Sequence, residues 1–106
     1  MATLPTKPAL ADYQELIRKL VVERGYDKET VPEVLMLLVE EVGELAKAIR
    51  KVNGQVTHQD SKVHNVEEEL ADVLWLVIDL ANRLGIDLDA AFQAKEAKNQ
   101  KRKRLA

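Results

Sequence analysis

The sequence predicts an all-α fold: a single-domain, four-helix bundle-like architecture built around an antiparallel central helix hairpin. Two long segments repeat apolar residues at steps of 3 and 4, the spacing of a helix face. Leu, Val and Ala dominate the 46% apolar content, and the aromatic residues are only Tyr13, Tyr26, Trp75 and Phe92. Three prolines and four glycines are too few for a turn-rich β fold. At 106 residues the whole chain, 1–106, reads as one domain.

Residues 1–8, with Pro5 and Pro8, read as a lead-in. A first helix follows from about Ala9 to Arg24, with Leu16, Ile17 and Leu20 on its apolar face and Gly25 as its stop. Thr30-Val-Pro-Glu33 has the form of a capping box, with Thr30 as N-cap, Glu33 reaching back, and Pro32 in the donor-free first turn. The second helix runs to about Lys51, and Leu35, Leu38, Val42, Leu45, Ile49 and Val52 form one continuous seam expected to pack. Asn53-Gly54 ends it, and Gln55 to Lys62 is a polar connection. The third helix carries Val63, Val66, Leu70, Val73, Val77, Leu80 and Leu84 and stops at Gly85. Asp87 is placed to cap a fourth helix that starts at Leu88 and ends in a basic tail.

Composition excludes several function classes. A net charge of −2 gives no polycation signature for nucleic acid. With no cysteine there are no disulfides, zinc knuckles or thiol nucleophiles. The longest apolar runs, Val34–Val39 and Val73–Ile78, are far too short to span a bilayer. No charged-then-apolar signal pattern opens the chain, so a soluble cytoplasmic protein is expected.

The informative residues lie beside the seams. On the second helix Val34, Leu37, Glu41, Glu44 and Ala48 make a parallel stripe in which two glutamates interrupt an apolar line. On the third helix the matching line is Asn65, Glu69, Asp72 and Leu76. Each acidic pair has i, i+3 spacing and so shares a helix face. Glu44 and Glu41 precede the end of helix two by roughly 13 and 18 Å, and Glu69 and Asp72 follow the start of helix three by roughly 10 and 15 Å, at about 1.5 Å per residue. In a hairpin the four carboxylates arrive at one level. Together they repel, and desolvation makes the repulsion worse. A hard divalent cation resolves the conflict, and an all-oxygen ligand set without His or Cys points to Mg²⁺ or Mn²⁺. Glu40, one position round the helix, is placed to serve a second ion or a water.

Glu40-Glu41-Val42-Gly43-Glu44, followed after 24 residues by Glu69-Leu70-Ala71-Asp72, resembles the EExxE…ExxD signature of the MazG-like family. That family belongs to the all-α nucleoside triphosphate pyrophosphatase superfamily. Leu38 to Ala46 is similar to its second-helix block, and Leu80 to Leu88 to its link into the last helix. Lys95-Glu-Ala-Lys-Asn-Gln-Lys-Arg102 is similar to its KxxKNxxR ending. The resemblance implies Mg²⁺-dependent hydrolysis of (deoxy)nucleoside triphosphates to monophosphate and pyrophosphate, as nucleotide-pool house-cleaning. By motif position it implies Glu41, Glu44, Glu69 and Asp72 as metal ligands, with Glu40 and Glu41 as the catalytic candidates at the attacking water. Lys95, Asn99 and Arg102 share a face of the fourth helix and become candidates for phosphate and sugar. Tyr26 lies in a segment similar to the family's aromatic position after helix one, which makes it a base-stacking candidate.

Many relatives carry Tyr at the place of Leu76. Here the aromatic residue is Trp75, about 100° round the helix, and it reads as core or subunit interface. Asp79, one heptad beyond Asp72, faces either the site or an interface. His58 and His64 read as solvent-exposed loop residues. Long apolar helices in so short a chain leave surplus apolar surface, so a homodimer is expected, and the resemblance implies dimers often paired into tetramers, a dimer of dimers. The resemblance implies sites completed across subunits. Two other readings are a phosphoribosyl-ATP pyrophosphatase-type enzyme and a non-catalytic helical interaction protein with a structural acidic metal site. The fuller MazG-like blocks weigh against the first, and the intact acidic positions against the second.

Overall fold

The computed structural model describes residues 2–52 and 65–105. Four helices follow in order: α1 (Leu10–Glu23), α2 (Val31–Val52), α3 (Asn65–Arg83) and α4 (Leu88–Leu105). There are no strands among the described residues. The expected Asn53-Gly54 stop, the polar connection from Gln55 to Lys62, Val63, and both His58 and His64 lie outside them.

The helix ends follow local chemistry. At α1 the Asp12 carboxylate accepts the Ala9 N–H at 2.7 Å. At α2 the capping box forms as expected: Thr30 N–H donates to Glu33 Oε1 at 2.8 Å and Glu33 N–H to Thr30 Oγ1 at 3.3 Å. These bonds hold the Glu33 carboxyl below the usual carboxylate range. Asp87 Oδ1 accepts the Ala90 N–H at 3.1 Å and so caps α4.

Helices α1 and α3 end alike. Gly25 (φ 76°) and Gly85 (φ 69°) adopt the left-handed conformation. The following residue then folds back, Tyr26 N–H to Val21 O and Ile86 N–H to Ala81 O, both at 2.8 Å. The first of these reversals delivers Tyr26 to the α2–α3 side of the molecule.

Helix α3 is the hub, with α2 along one flank and α1 on another, while α4 packs chiefly on α1. Ile17, Val21 and Ile78 form the core cluster, and Leu10, Tyr13, Trp75 and Leu88 close over it. A polar knot locks the same junction. Gln14 Nε2 donates to Asn82 Oδ1 and to Ile86 O, both at 2.9 Å, while Gln14 Oε1 accepts the Leu88 N–H at 3.0 Å. Asn82 Nδ2 returns a bond to Gln14 O at 2.9 Å. Gln14 is buried but its donors and acceptor are all used, so the cost of burial is offset.

The packing corrects one expectation from the sequence. On α2 the buried residues are Val34, at 0% exposure, and Ala48. Both lie on the stripe that carries the glutamates. The continuous seam is largely uncovered instead: Leu35, Val42, Ile49 and Val52 are exposed, and so are Leu70 and Leu84 of α3. Phe92 of α4 is 71% exposed as well. Two apolar lines run along each central helix, and one chain covers only one of them. The Cα radius of gyration, 16.8 Å, fits this open arrangement, since a compact domain of this length measures about 13 Å.

Candidate active site

The glutamate stripe of α2 faces α3. Carboxylate oxygens of Glu41, Glu69 and Asp72 lie within 4.8 Å of one another. Glu41 and Glu69 are half-buried and Asp72 is exposed. Burial, a hydrogen bond with the Glu69 carboxyl, and the charges of Glu69, Asp72 and Glu44 push the Glu41 carboxyl up to about 7. Among the described residues Glu69 Oε2 is buried with no hydrogen-bond partner. A carboxylate oxygen sealed without a donor is costly, and a cation is the partner that an all-oxygen cluster fits. These three residues could therefore hold a metal ion.

The other candidates are placed differently. Glu44 is exposed one turn further along α2, beside Glu69 in a surface hollow that Lys47, Ala48 and Lys51 also line. It stays outside the 4.8 Å group. Glu40 is exposed on the neighbouring face of α2. Lys95, Asn99 and Arg102 are exposed on α4, and none of them lines the cleft described next.

A cleft of about 470 Å³ opens from the acidic group. Glu41 and Asp72 stand at one end; Tyr26, Trp75, Leu37 and Leu76 form apolar walls; Asp79 lies further along α3. Tyr26, a stacking candidate from the sequence, is thus on the cleft. Trp75 packs on the core cluster, as one sequence reading held, and also lines the cleft.

One device was not visible beforehand. Arg83 Nε donates to Asp79 Oδ1 at 2.9 Å, in a pair whose side chains are 13% and 3% exposed. The same guanidinium donates to Tyr26 O at 2.8 Å and to Glu29 O. One planar fork therefore fastens the α1–α2 turn, with Tyr26 on it, onto α3. The i, i+4 spacing of Asp79 and Arg83 is the only trace of this in the sequence. Arg24 and Glu29 also line the cleft; both sit in the turn and belong to no periodic pattern.

The chain is similar to known proteins. The family model of the MazG nucleotide pyrophosphohydrolase domain matches residues 29–105. Human (Homo sapiens) dCTP pyrophosphatase 1 is 35% identical over 101 residues, covering 91% of this chain and 59% of that protein. The Rattus norvegicus dCTP pyrophosphatase 1 is 34% identical over the same shares. Gene 37 protein of Mycobacterium phage L5 is 35% identical over 79 residues, 71% of this chain and 68% of its own. The chain thus spans about three fifths of the dCTP pyrophosphatase relatives it matches.

Proposed function

The chain belongs to the MazG nucleotide pyrophosphohydrolase family, and from that premise we propose that it hydrolyses nucleoside triphosphates, deoxynucleotides favoured, to the monophosphate and pyrophosphate. The observation that carries this reading is the carboxylate group of Glu41, Glu69 and Asp72 at one end of a cleft walled by Tyr26 and Trp75. An anionic triphosphate does not approach three carboxylates unaided. Glu41, Glu69 and Asp72, with Glu44 one turn away, would hold Mg²⁺, or Mn²⁺ in its place. A divalent cation held there would neutralise phosphate charge and polarise the α-phosphorus and its attacking water.

The protein's own groups do the rest. Water adds to the α-phosphorus, the α–β anhydride bond breaks, and pyrophosphate leaves. Glu40 and Glu41 are the residues that orient the water and take its proton. No covalent nucleophile is required. Tyr26 stacks on the base, held in place by Arg83 through its carbonyl.

The working unit is a homodimer or a dimer of dimers. Leu35, Val39, Val42 and Ile49 of α2, Leu70 and Leu74 of α3, and Phe92 of α4 are all exposed on one chain, and a second copy is the economical cover. Since α4 packs on α1, away from the carboxylates, its Lys95, Asn99 and Arg102 reach the phosphates of a partner's site. Among the described residues no helix is long and apolar enough to cross a membrane, and the reading places the enzyme in the cytoplasmic nucleotide pool.

Product analysis with Mg²⁺ and a panel of canonical dNTPs and NTPs tests the chemistry. Monophosphate with pyrophosphate is expected; diphosphate with orthophosphate, or no turnover, would overturn it. Mixing Glu69→Gln with Arg102→Ala protein tests the shared site. Restored activity in the mixture is expected, and two inactive parents giving an inactive mixture would count against it.

A further inference from the structure

Of the two acidic residues that line the cleft outside the carboxylate group, Glu29 and Asp79, Asp79 is the buried one. It is 2% exposed, yet it lines the cleft beside Trp75 and Leu76. Its Oδ1 accepts Arg83 Nε at 2.9 Å, and its Oδ2 accepts no hydrogen bond among the described residues. The space that Asp79 borders is the cleft.

The guanidinium also settles charge and posture. Arg83 neutralises Asp79, so a neutral ligand beside it meets no net charge. Its remaining nitrogens are committed to Tyr26 O and Glu29 O, which fixes the fork and with it the carboxylate plane. What remains is an oriented, acceptor-only oxygen beside the two aromatic residues of the cleft.

We propose that Asp79, held by Arg83, is the specificity-determining residue for the base: its Oδ2 accepts the exocyclic amino group of an amino-bearing base. Cytosine offers N4–H₂ and adenine N6–H₂, whereas thymine and uracil present the O4 acceptor at the corresponding edge. A keto oxygen against Oδ2 leaves two acceptors facing each other and the buried carboxylate without a donor. Sites built to bond a polar group reject analogues lacking it far more strongly than apolar pockets reject a missing methylene. This inference rests on the nucleotide reading of the cleft.

The test is calorimetric binding of dCMP, dUMP and the 2-pyrimidinone deoxynucleotide, which lacks the amino group, with fluorescence of the single tryptophan, Trp75, as a second readout. Wild-type protein is expected to bind dCMP at least about tenfold more tightly than either of the others. In Asp79→Asn the amide oxygen keeps Arg83 and its NH₂ turns toward the cleft, so the preference should invert in favour of dUMP. Equal binding of the three by wild type, no binding of any, or an Asp79→Asn variant that weakens dCMP and dUMP alike would overturn the proposal. If the variant fails to fold, the wild-type comparison with the 2-pyrimidinone nucleotide decides alone. Discrimination among monophosphates without turnover of dCTP or dUTP would sink the hydrolytic reading and leave this one standing.

Discussion

Asp72 and Asp79 stand one heptad apart on α3 and border the same cleft, but the chain treats them in opposite ways. Asp79 is buried and has its counter-charge built in, since Arg83 lies four residues on and grips it at 2.9 Å. Asp72 stands with Glu41 and Glu69, three carboxylates within 4.8 Å, and no basic residue is paired with them among the described residues. One end of the cleft carries its own counter-charge, and the other gathers carboxylates without one among the described residues. Where a chain supplies the neutralising group, the carboxylate is left to offer a hydrogen bond; where it withholds it, the carboxylates are suited to a cation.

Removing one of the gathered carboxylates should have the largest effect. Glu69→Gln is expected to lower turnover by about a hundredfold or more, the upper end of what losing even an outer-shell metal partner costs. The same change should raise the melting temperature of the metal-free protein, because it removes a buried repulsion and an orphaned oxygen. Steady-state kinetics and thermal melts read the two signs separately.

At the end that carries its own counter-charge the signs reverse. Arg83→Ala leaves a buried, unpaired carboxylate and should cost about 3 kcal/mol or more of stability in denaturant unfolding. It also frees the carbonyls of Tyr26 and Glu29, so proteolysis in the α1–α2 turn should accelerate. Arg83→Lys should restore only part of either property, since an ammonium cannot reproduce the three-way fork.

A pH series sharpens the contrast. The Glu41 carboxyl sits at about 7 in the folded, metal-free chain against an ordinary value of 4.5. Between those values the folded state holds more protons than the unfolded state, so stability falls as pH rises through that window. Urea midpoints of the metal-free protein should show this slope, and saturating Mg²⁺ should flatten it. Glu41→Gln should remove it without metal.

The smallest effect lies away from the cleft. Thr30→Ala breaks half of the α2 capping box and should cost about 1 kcal/mol. Product ratios and base preference should not move.

Helix punctuation was legible from residue chemistry alone: Thr30 with Glu33, Asp87, Gly25 and Gly85 each act within a few residues of themselves. The acidic line was legible too, because Glu41 and Glu69 interrupt apolar stripes. Which stripe turns inward was not. The unbroken seam through Leu35, Val42 and Ile49 looks like core, yet burial follows the interrupted line through Val34 and Ala48. Hydrophobic periodicity says that a face is covered but not whether the cover comes from the same chain. The fork of Arg83 was hidden for a related reason. Two of its three acceptors are backbone carbonyls 57 and 54 residues away, which no side-chain pattern encodes.

The most direct test of the carboxylate end is calorimetric titration of Mn²⁺ into metal-free protein at pH 7, wild type beside Glu69→Gln, in buffers of different ionisation enthalpy. Saturable binding by wild type with net proton release from the carboxylate group is expected, with binding severely weakened in Glu69→Gln. No binding to wild type, or equal affinity in the two proteins, would contradict it.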